Sequence, residues 1–292
     1  MQLLNGNEVS KHIRTQIKAE VEQLKAAGKK TPHLAAILVG TDGASQTYVA
    51  AKAKDCEEVG FDSTVLRFDA TISEADLLNE VIKINNNPDI DGLIVQLPLP
   101  KHIDTNKVTQ TIDWRKDVDG FHPMNVGLMF KGLPCYLPAT PMGVIKLLEH
   151  YQIETTGKHC VVIGRSDIVG KPMSALMLQK NCTVTVCHSK TQDIENVIKG
   201  ADIVIAALGI PNFVTAKMVK QGAVVVDVGI TRVENPTAKS GYRLKGDVKF
   251  DEVSEKASWI TPVPGGVGPM TRVGLLLNTL NAVKNHLRFE SR

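Results

Sequence analysis

Apolar positions change their spacing in a regular alternation along the chain. Val9, Ile13, Ile17, Val21 and Leu24 recur every three or four residues and Gly28 follows, which predicts an amphipathic helix with a glycine stop. His33 to Val39 is a short, nearly continuous apolar run and reads as a strand, closed by Gly40-Thr41-Asp42-Gly43. Helical spacing resumes from Ala44 to Val59 and ends at Gly60. A strand at Val65 to Phe68 comes next, then a helix opened by Ser73 with Asp76 three residues on and stopped at Asn85-Asn86-Asn87-Pro88. Gly92 to Leu97 is a buried strand. Strands that alternate with helices in this way form βαβ units around a parallel sheet, so the fold class is α/β.

From Pro98 to Pro141 the pattern loosens into proline, glycine and isolated polar residues, as in a functional loop that crosses between domains. A helix over Met142 to Tyr151 opens a second alternating series, with strands near Val161, Val184, Ile203 and Val224. Within it, Val161-Val162-Ile163-Gly164-Arg165-Ser166 leads through a short polar turn to a helix from Gly170 to Lys180. A strand, tight turn and helix N-terminus present unpaired N–H groups and a positive dipole end, which suits a phosphate. The spacing departs from G-x-G-x-x-G, because Ser166 stands at the second glycine and the last has moved to Gly170, so an ordinary turn after a buried strand explains the segment alone equally well. Val233 to Gly246 is polar and irregular, Pro264 to Pro269 is a glycine-rich loop, and Met270 to Leu287 is a long final helix. The expected division is one α/β domain over 1–140 completed by 270–292, and a Rossmann-like domain over 141–269.

Composition narrows the function classes. The 292 residues suffice for two ordinary cores. With 34 basic and 31 acidic residues the net charge is +3, and no basic run with interleaved aromatics points to nucleic acid. Five cysteines lie scattered without C-x-x-C spacing, so reduced thiols in a cytoplasmic protein are expected and a metal site is not. No apolar run is long enough to span a bilayer.

The chemistry gathers at a few positions. The turn after the second Rossmann strand, Val186-Cys187-His188-Ser189-Lys190, lacks the carboxylate that binds the ribose hydroxyls of NAD. With Ser189, Lys190 and Arg165 nearby in the pattern, it better suits the 2′-phosphate of NADP. Ala206-Ala207-Leu208-Gly209 and Val226-Asp227-Val228-Gly229-Ile230 end strands in glycine, either for close passage of a dinucleotide or as plain turns. Tyr48 and Lys52, four apart, share a helix face, although most such surface pairs are merely solvated. Gln96 falls at the carboxyl end of a central strand, the edge where open α/β sheets place ligands. Asp119 stands before Gly120, where a turn is the simpler reading.

Taken in order, Tyr48-x-x-x-Lys52, Val95-Gln96-Leu97-Pro98-Leu99-Pro100, Lys116-Asp117-Val118-Asp119-Gly120, Pro138-Ala139-Thr140-Pro141, Gly164-Arg165-Ser166 through Gly170, and Pro264-Gly265-Gly266-Val267-Gly268-Pro269-Met270-Thr271 resemble the bifunctional methylenetetrahydrofolate dehydrogenase/cyclohydrolase family. The resemblance covers almost the whole chain. It implies a homodimeric enzyme of one-carbon metabolism and purine biosynthesis, in which two α/β domains flank a cleft that holds the folate. The implied reactions are oxidation of 5,10-methylenetetrahydrofolate with NADP⁺ and hydrolysis of the 5,10-methenyl cation to 10-formyltetrahydrofolate.

The implied roles fall on particular residues. Lys52 is the proton acceptor, Gln96 orients its amine, Tyr48 stacks on or steers the folate ring, and Asp119 accepts hydrogen bonds from the pterin. Val95, Leu97, Pro264, Gly265 and Gly266 complete the substrate site, while Gly164, Arg165, Ser166, Ser189 and Ile230 hold the cofactor. Arg272 departs from the small or apolar residue expected there, which makes it available to the glutamate tail of folate, and His122-Pro123-Met124 receives no role. No Walker-type loop of an ATP-dependent synthetase appears. The alternatives are an NADP-dependent dehydrogenase of another small substrate, shikimate-like, and a non-catalytic NADP-binding module.

Overall fold

The computed structural model describes residues 1–235 and 241–289. In chain order the first elements are β1 (Gln2–Leu3), α1 (Gly6–Ala26), β2 (His33–Val39), α2 (Gly43–Val59), β3 (Asp62–Phe68), α3 (Glu74–Asn85) and β4 (Gly92–Val95). After them come α4 (Thr105–Thr111), α5 (Pro123–Phe130), α6 (Ala139–His150), β5 (His159–Ile163), α7 (Gly170–Gln179), β6 (Thr183–Cys187), α8 (Ile194–Lys199) and β7 (Ile203–Ala206). The last are a 3₁₀ turn (Ala216–Met218), β8 (Val224–Asp227), β9 (Thr231–Glu234), β10 (Tyr242–Lys245), α9 (Phe250–Ser254), β11 (Trp259–Ile260) and α10 (Val267–Phe289). By contacts the chain forms two compact units, one of residues 11–139 with 272 onward, the other of residues 1–10 with 140–271.

In the first unit, a three-stranded parallel sheet has the order β3-β2-β4. Leu34 to Val39 are all buried, as a central strand covered on both faces requires. Burying each such Leu, Ile or Val side chain contributes about 1.5–3 kcal/mol. Their apolar partners include Leu77, Val81 and Ile84 from α3 and Val108 from α4. Helix α2 starts where Asp42 Oδ2 accepts the Ser45 N–H at 2.7 Å and stops at Gly60, whose φ of 82° allows its N–H to return to Cys56 and Glu57. Register pairs Leu34–Ile37 with Gly92–Val95, and the Gln96 N–H continues to Ile37 O at 2.9 Å. The strand itself ends at Val95, two residues earlier than the apolar run suggests, and leaves Gln96 at its carboxyl edge.

The second unit is built on a six-stranded sheet of order β1-β11-β8-β7-β5-β6, in which every pairing is parallel. Strands β5, β7 and β8 are buried almost throughout and supply Val161, Ile163, Val204 and Val225 to its core. Residues 1–10 join this unit because β1 extends the sheet beside β11, the Asn5 N–H reaches the Tyr151 hydroxyl at 3.2 Å, and the Asn7 N–H donates to Gly265 O at 3.1 Å.

Three stretches differ from the periodicity. The loosened segment 98–141 holds α4 and α5, both capped locally: Asp104 Oδ1 accepts from Asn106 and Lys107, and His122 Nδ1 accepts the Met124 N–H at 3.0 Å. Such short helices bury too few side chains to show a period, only Val108 in α4 and Asn125 and Met129 in α5. Val233 to Gly246 is not irregular throughout, because β9 and β10 pair antiparallel with Thr231 opposite Lys245 and Glu234 opposite Tyr242. Helix α10 begins at Val267, three residues before the expected start, and takes in Pro269 within its first turn. Among the described residues no helix is long and apolar enough to cross a membrane.

Candidate active site

Helix α2 and the end of β4 bring the sequence-nominated polar residues of the first unit together. Lys52 is half-buried and donates from Nζ to Gln96 Oε1 at 3.0 Å. The Gln96 amide is fixed from its other side, since Nε2 donates to Leu97 O at 2.7 Å, and this turns the carbonyl oxygen towards the lysine. Burial lowers the Lys52 ammonium below its ordinary range, while the nearby Asp119 carboxylate and the Cys56 thiol oppose that shift. The reciprocal effect appears at Asp119, whose carboxyl is pushed up to about 6 by burial, with Lys52 acting against the rise and Asp117 adding to it. A lysine amine eased towards neutrality and anchored by one acceptor is equipped to take a proton. Tyr48, one turn before Lys52, is 41% exposed and presents its ring to solvent.

Asp119 is set by a braced loop. Asp117 is buried and accepts the His122 N–H at 2.7 Å and the Asn125 amide at 2.9 Å. Asn125 Nδ2 also reaches Trp114 O at 2.9 Å, and Asn278 on α10 donates to both Val118 O at 2.7 Å and Leu137 O at 2.8 Å. Gly120 turns the chain with φ +72°, and a Cβ there would stand 2.6 Å from Leu137 C and Pro138 N. Val95, Leu97, Asp117, Asp119 and Phe121 then line one small cavity, which joins two of the segments singled out in the sequence. Sequence reading gave Asp117 no role of its own and passed over Asn125 and Asn278. The usable signal was polarity in the wrong place, above all an asparagine on the apolar face of the last helix.

In the second unit, Gly164 follows β5 with φ +129°, and a Cβ on it would fall 2.2 Å from Ala207 O. Ser166 takes the place of a glycine by accepting the Val169 and Gly170 N–H groups on Oγ, each at 3.3 Å. Its hydroxyl therefore caps the start of α7, and the irregular spacing has a structural cause. Arg165 and Ser189 are exposed, at the ends of β5 and β6 respectively, and residues 187–191 carry no carboxylate. The chain there turns on His188, whose N–H donates to Thr191 Oγ1 at 2.9 Å and whose Nδ1 accepts the Lys190 N–H at 3.1 Å. This cradle, closed to any side chain at Gly164 and without a carboxylate at residues 187–191, fits a dinucleotide carrying an extra phosphate.

Ile230, 39% exposed, lines a second cavity with Asp227 and the Pro262–Gly268 loop, so the cofactor candidate and the proposed folate loop of Pro264, Gly265 and Gly266 meet in this unit. Two buried acids brace the surrounding turns. Asp227 accepts from Gly229, Asp247 and Val248, and Asp247 accepts from Leu208 at 2.6 Å and Gly209 at 3.0 Å. Burial chiefly, and then Asp247, push the Asp227 carboxyl up to about 7 against those three backbone donors. In the sequence, Val226 to Ile230 was read for its glycine and for Ile230, and Asp227 received no role. Arg272 does not stand free for a folate tail, because it pairs with Asp55 at 2.9 Å.

A parallel sheet with a glycine-and-serine turn at a helix N-terminus in one unit, and a buried lysine held by a glutamine in the other, fit an α/β enzyme of the NAD(P)-binding class. Residues 4–119 match the catalytic domain of tetrahydrofolate dehydrogenase/cyclohydrolase, and residues 138–287 match its NAD(P)-binding domain. The chain belongs to the tetrahydrofolate dehydrogenase/cyclohydrolase family. It is 61% identical to the Bifunctional protein FolD of Phocaeicola vulgatus over 288 residues, covering 97% of this chain and 98% of that one. Among solved structures it is similar to the FolD methylenetetrahydrofolate dehydrogenase/cyclohydrolase of Campylobacter jejuni, with a TM-score of 0.94, 47% identity, and 98% and 99% of the two chains covered. It is also similar to the Trypanosoma brucei enzyme complexed with NADP and an inhibitor, with a TM-score of 0.93, 39% identity, and 97% of each chain covered. A shikimate dehydrogenase of Aquifex aeolicus reaches a TM-score of 0.52 at 12% identity, a likeness of fold alone. The chain is thus an enzyme of tetrahydrofolate chemistry with dehydrogenase and cyclohydrolase activities, and the non-catalytic reading falls away.

Proposed function

We propose that the chain oxidises 5,10-methylenetetrahydrofolate with NADP⁺ and hydrolyses the 5,10-methenyl cation to 10-formyltetrahydrofolate, with Lys52 as the proton acceptor of the second step. The observation that carries this reading is the Lys52 amine, held 3.0 Å from Gln96 Oε1 and shifted towards its neutral form by burial. NADP⁺ bound on the second unit supplies the hydride acceptor. Gly164, with no side chain, would admit its phosphates to the Ser166 turn, Arg165 and Ser189 would meet its 2′-phosphate, and Ile230 with the Pro264–Gly266 loop would shape the nicotinamide end.

Hydride transfer demands mainly alignment, because the nitrogens flanking the one-carbon bridge delocalise the cation that forms. Tyr48 offers a ring face to the folate, Val95 and Leu97 an apolar wall, and Asp119 a carboxylate for the pterin's amide and amino donors. In hydrolysis a water adds to the methenyl carbon, its proton passes to Lys52, and the bond to one ring nitrogen breaks as that nitrogen gains a proton. Gln96 keeps the lysine lone pair directed at the water. The nearby cationic substrate itself disfavours the ammonium form and so assists the base.

A homodimer is proposed as well. Among the described residues the β9–β10 ribbon forms a separate two-stranded sheet whose outer edges pair with no other strand, an arrangement that is marginal in water without cover. Free thiols at Cys56, Cys160, Cys182 and Cys187 support a reducing, cytoplasmic setting. The test is absorbance with 5,10-methylenetetrahydrofolate and either NADP⁺ or NAD⁺, followed by a methenyl-hydrolysis assay. Both activities are expected, with NADP⁺ preferred. Silence in both would remove the reading.

A further inference from the structure

The second unit carries two buried acids that no step of either reaction uses. Asp227 ends β8 and is 3% exposed; its Oδ1 accepts the Gly229 and Asp247 N–H groups, each at 2.9 Å, and its Oδ2 accepts the Val248 N–H at 2.8 Å. Asp247 is fully buried, gives Oδ2 to Leu208 and Gly209, and has no partner for Oδ1 among the described residues. Two glycines make room for the pair. A Cβ on Gly246 would stand 1.9 Å from Asp227 Oδ2, and one on Gly229 would stand 2.3 Å from Asp247 Oδ1. The charged group that acts on Asp227 is Asp247, and its charge has the same sign. The other elements packed here bring only uncharged side chains: Leu208 from the turn after β7, and Ile230 with Pro262 to Gly268 around the cavity that Asp227 lines. That cavity is the one given above to the nicotinamide end of the cofactor. Oxidised and reduced cofactor differ there by one charge, since the ring is a cation before hydride arrives and neutral afterwards. A buried carboxylate beside the ring attracts the first form and is nearly indifferent to the second.

We propose that Asp227 is a specificity-determining residue for the redox form of the cofactor: its buried carboxylate favours the cationic ring of NADP⁺ over the neutral ring of NADPH, so the reduced cofactor is let go once hydride has been transferred. The inference rests on the nicotinamide lying at the Ile230 end of this unit. Backbone N–H groups are partial charges, so they hold the anion in place without cancelling it. Burial first, with Asp247 also contributing, raises the Asp227 carboxyl to about 7 in spite of those donors. The carboxylate is therefore protonated below that value and ionised above it, and the preference for NADP⁺ grows as pH rises through it. By the same linkage, a cation bound beside the carboxyl draws its proton off, whereas a neutral ring does not.

The test is the dissociation constants of NADP⁺ and NADPH for the full chain without folate, measured by titration calorimetry from about pH 6 to about pH 8.5, a range that brackets the Asp227 titration. The 2′-phosphate titrates in both cofactors, so the ratio of the two constants isolates the ring. That ratio is expected to move about tenfold in favour of NADP⁺ across the range, the effect of about one pH unit of coupling. Near neutral pH, NADP⁺ should release more protons than NADPH, read as a binding enthalpy that varies with the ionisation enthalpy of the buffer. A flat ratio with equal proton release overturns the proposal. Asp227→Asn should flatten the ratio, and a pH dependence that survives in it is equally contrary. If Asp227→Asn does not fold, because its amide meets the Val248 N–H, Asp247→Asn decides, since its amide oxygen can keep the Leu208 and Gly209 donors. With that like charge gone, the midpoint of the ratio should move to lower pH, and an unmoved or raised midpoint is the contrary result. Failure of both cofactors to bind would overturn the cofactor reading and this inference with it. Binding of both at a constant ratio overturns only the role of Asp227.

Discussion

Replacing Gln96 by glutamate changes one atom type at the site and should separate the two activities. The carbonyl oxygen 3.0 Å from Lys52 Nζ becomes part of a carboxylate. A unit charge pair at that distance is worth about 1.4 kcal/mol in water and about 5.5 kcal/mol at an effective dielectric of about 20. At about 1.4 kcal/mol per pH unit, the ammonium form of Lys52 is favoured by roughly one to four pH units, which opposes the desolvation that lowers it. The second glutamate oxygen also meets Leu97 O without the N–H that now bridges them, so thermal stability should be recorded alongside. The assay is decay of 5,10-methenyltetrahydrofolate absorbance above the uncatalysed background, from pH 6 upward, together with the initial rate of NADPH formation. Hydrolysis at pH 7 should fall at least about tenfold and recover along a limb displaced to higher pH, while hydride transfer loses much less. An unmoved hydrolysis profile in a folded Gln96→Glu protein would refute the reasoning.

Four further outcomes follow from the structure. Asp119→Asn should raise the KM for folate about 10- to 100-fold, the loss of a charge-assisted hydrogen bond worth about 1.5–3 kcal/mol, and leave cofactor affinity nearly unchanged in titrations. In the wild type, the carboxyl pushed up to about 6 means that folate affinity should weaken as pH falls through that value, because protonation removes an acceptor; a flat KM from pH 7.5 to 5 would contradict this. Gly164→Ala places a Cβ 2.2 Å from Ala207 O at φ +129°, so it should lower Tm and raise the KM for NADP⁺ more than it disturbs hydrolysis, which uses no cofactor. Ser189→Asp, which restores a carboxylate after β6, should shift the NADP⁺ to NAD⁺ preference towards NAD⁺ by tenfold or more, read as a ratio of kcat/KM values.

How far the sequence carries depends on how local each cause is. Strand β2 was legible because six consecutive buried residues write an unbroken apolar run, the stop of α2 because Gly60 supplies its own positive φ, and the start of α3 because Ser73 acts within three residues of itself. Helices α4 and α5 were not, since His122 and Asp104 nucleate them with almost no buried face to set a period. The β9–β10 ribbon hid for a related reason: its alternation is between exposed and half-buried positions and leaves little contrast in hydrophobicity. At the site, Lys52, Gln96 and Asp119 were reached through spacing and resemblance, but their mutual electrostatics required the fold. The partner of Arg272 lies 217 residues away, beyond anything periodicity conveys, and only the packing of α10 shows that its charge is spent on Asp55. The irregular turn at Gly164 reads differently once Ser166 is seen to cap α7 with its hydroxyl.

The central claim is that one lysine serves the hydrolytic step and is dispensable, in relative terms, for hydride transfer. It is tested most directly by Lys52→Gln supplied with 5,10-methylenetetrahydrofolate and NADP⁺, with NADPH and the methenyl product followed in the same cuvette. General base catalysis contributes about 10²- to 10⁴-fold, so the account expects NADPH to form while 5,10-methenyltetrahydrofolate accumulates instead of passing on to the 10-formyl product. Equal loss of both steps in a folded variant that still binds folate, or hydrolysis at the wild-type rate, would contradict it.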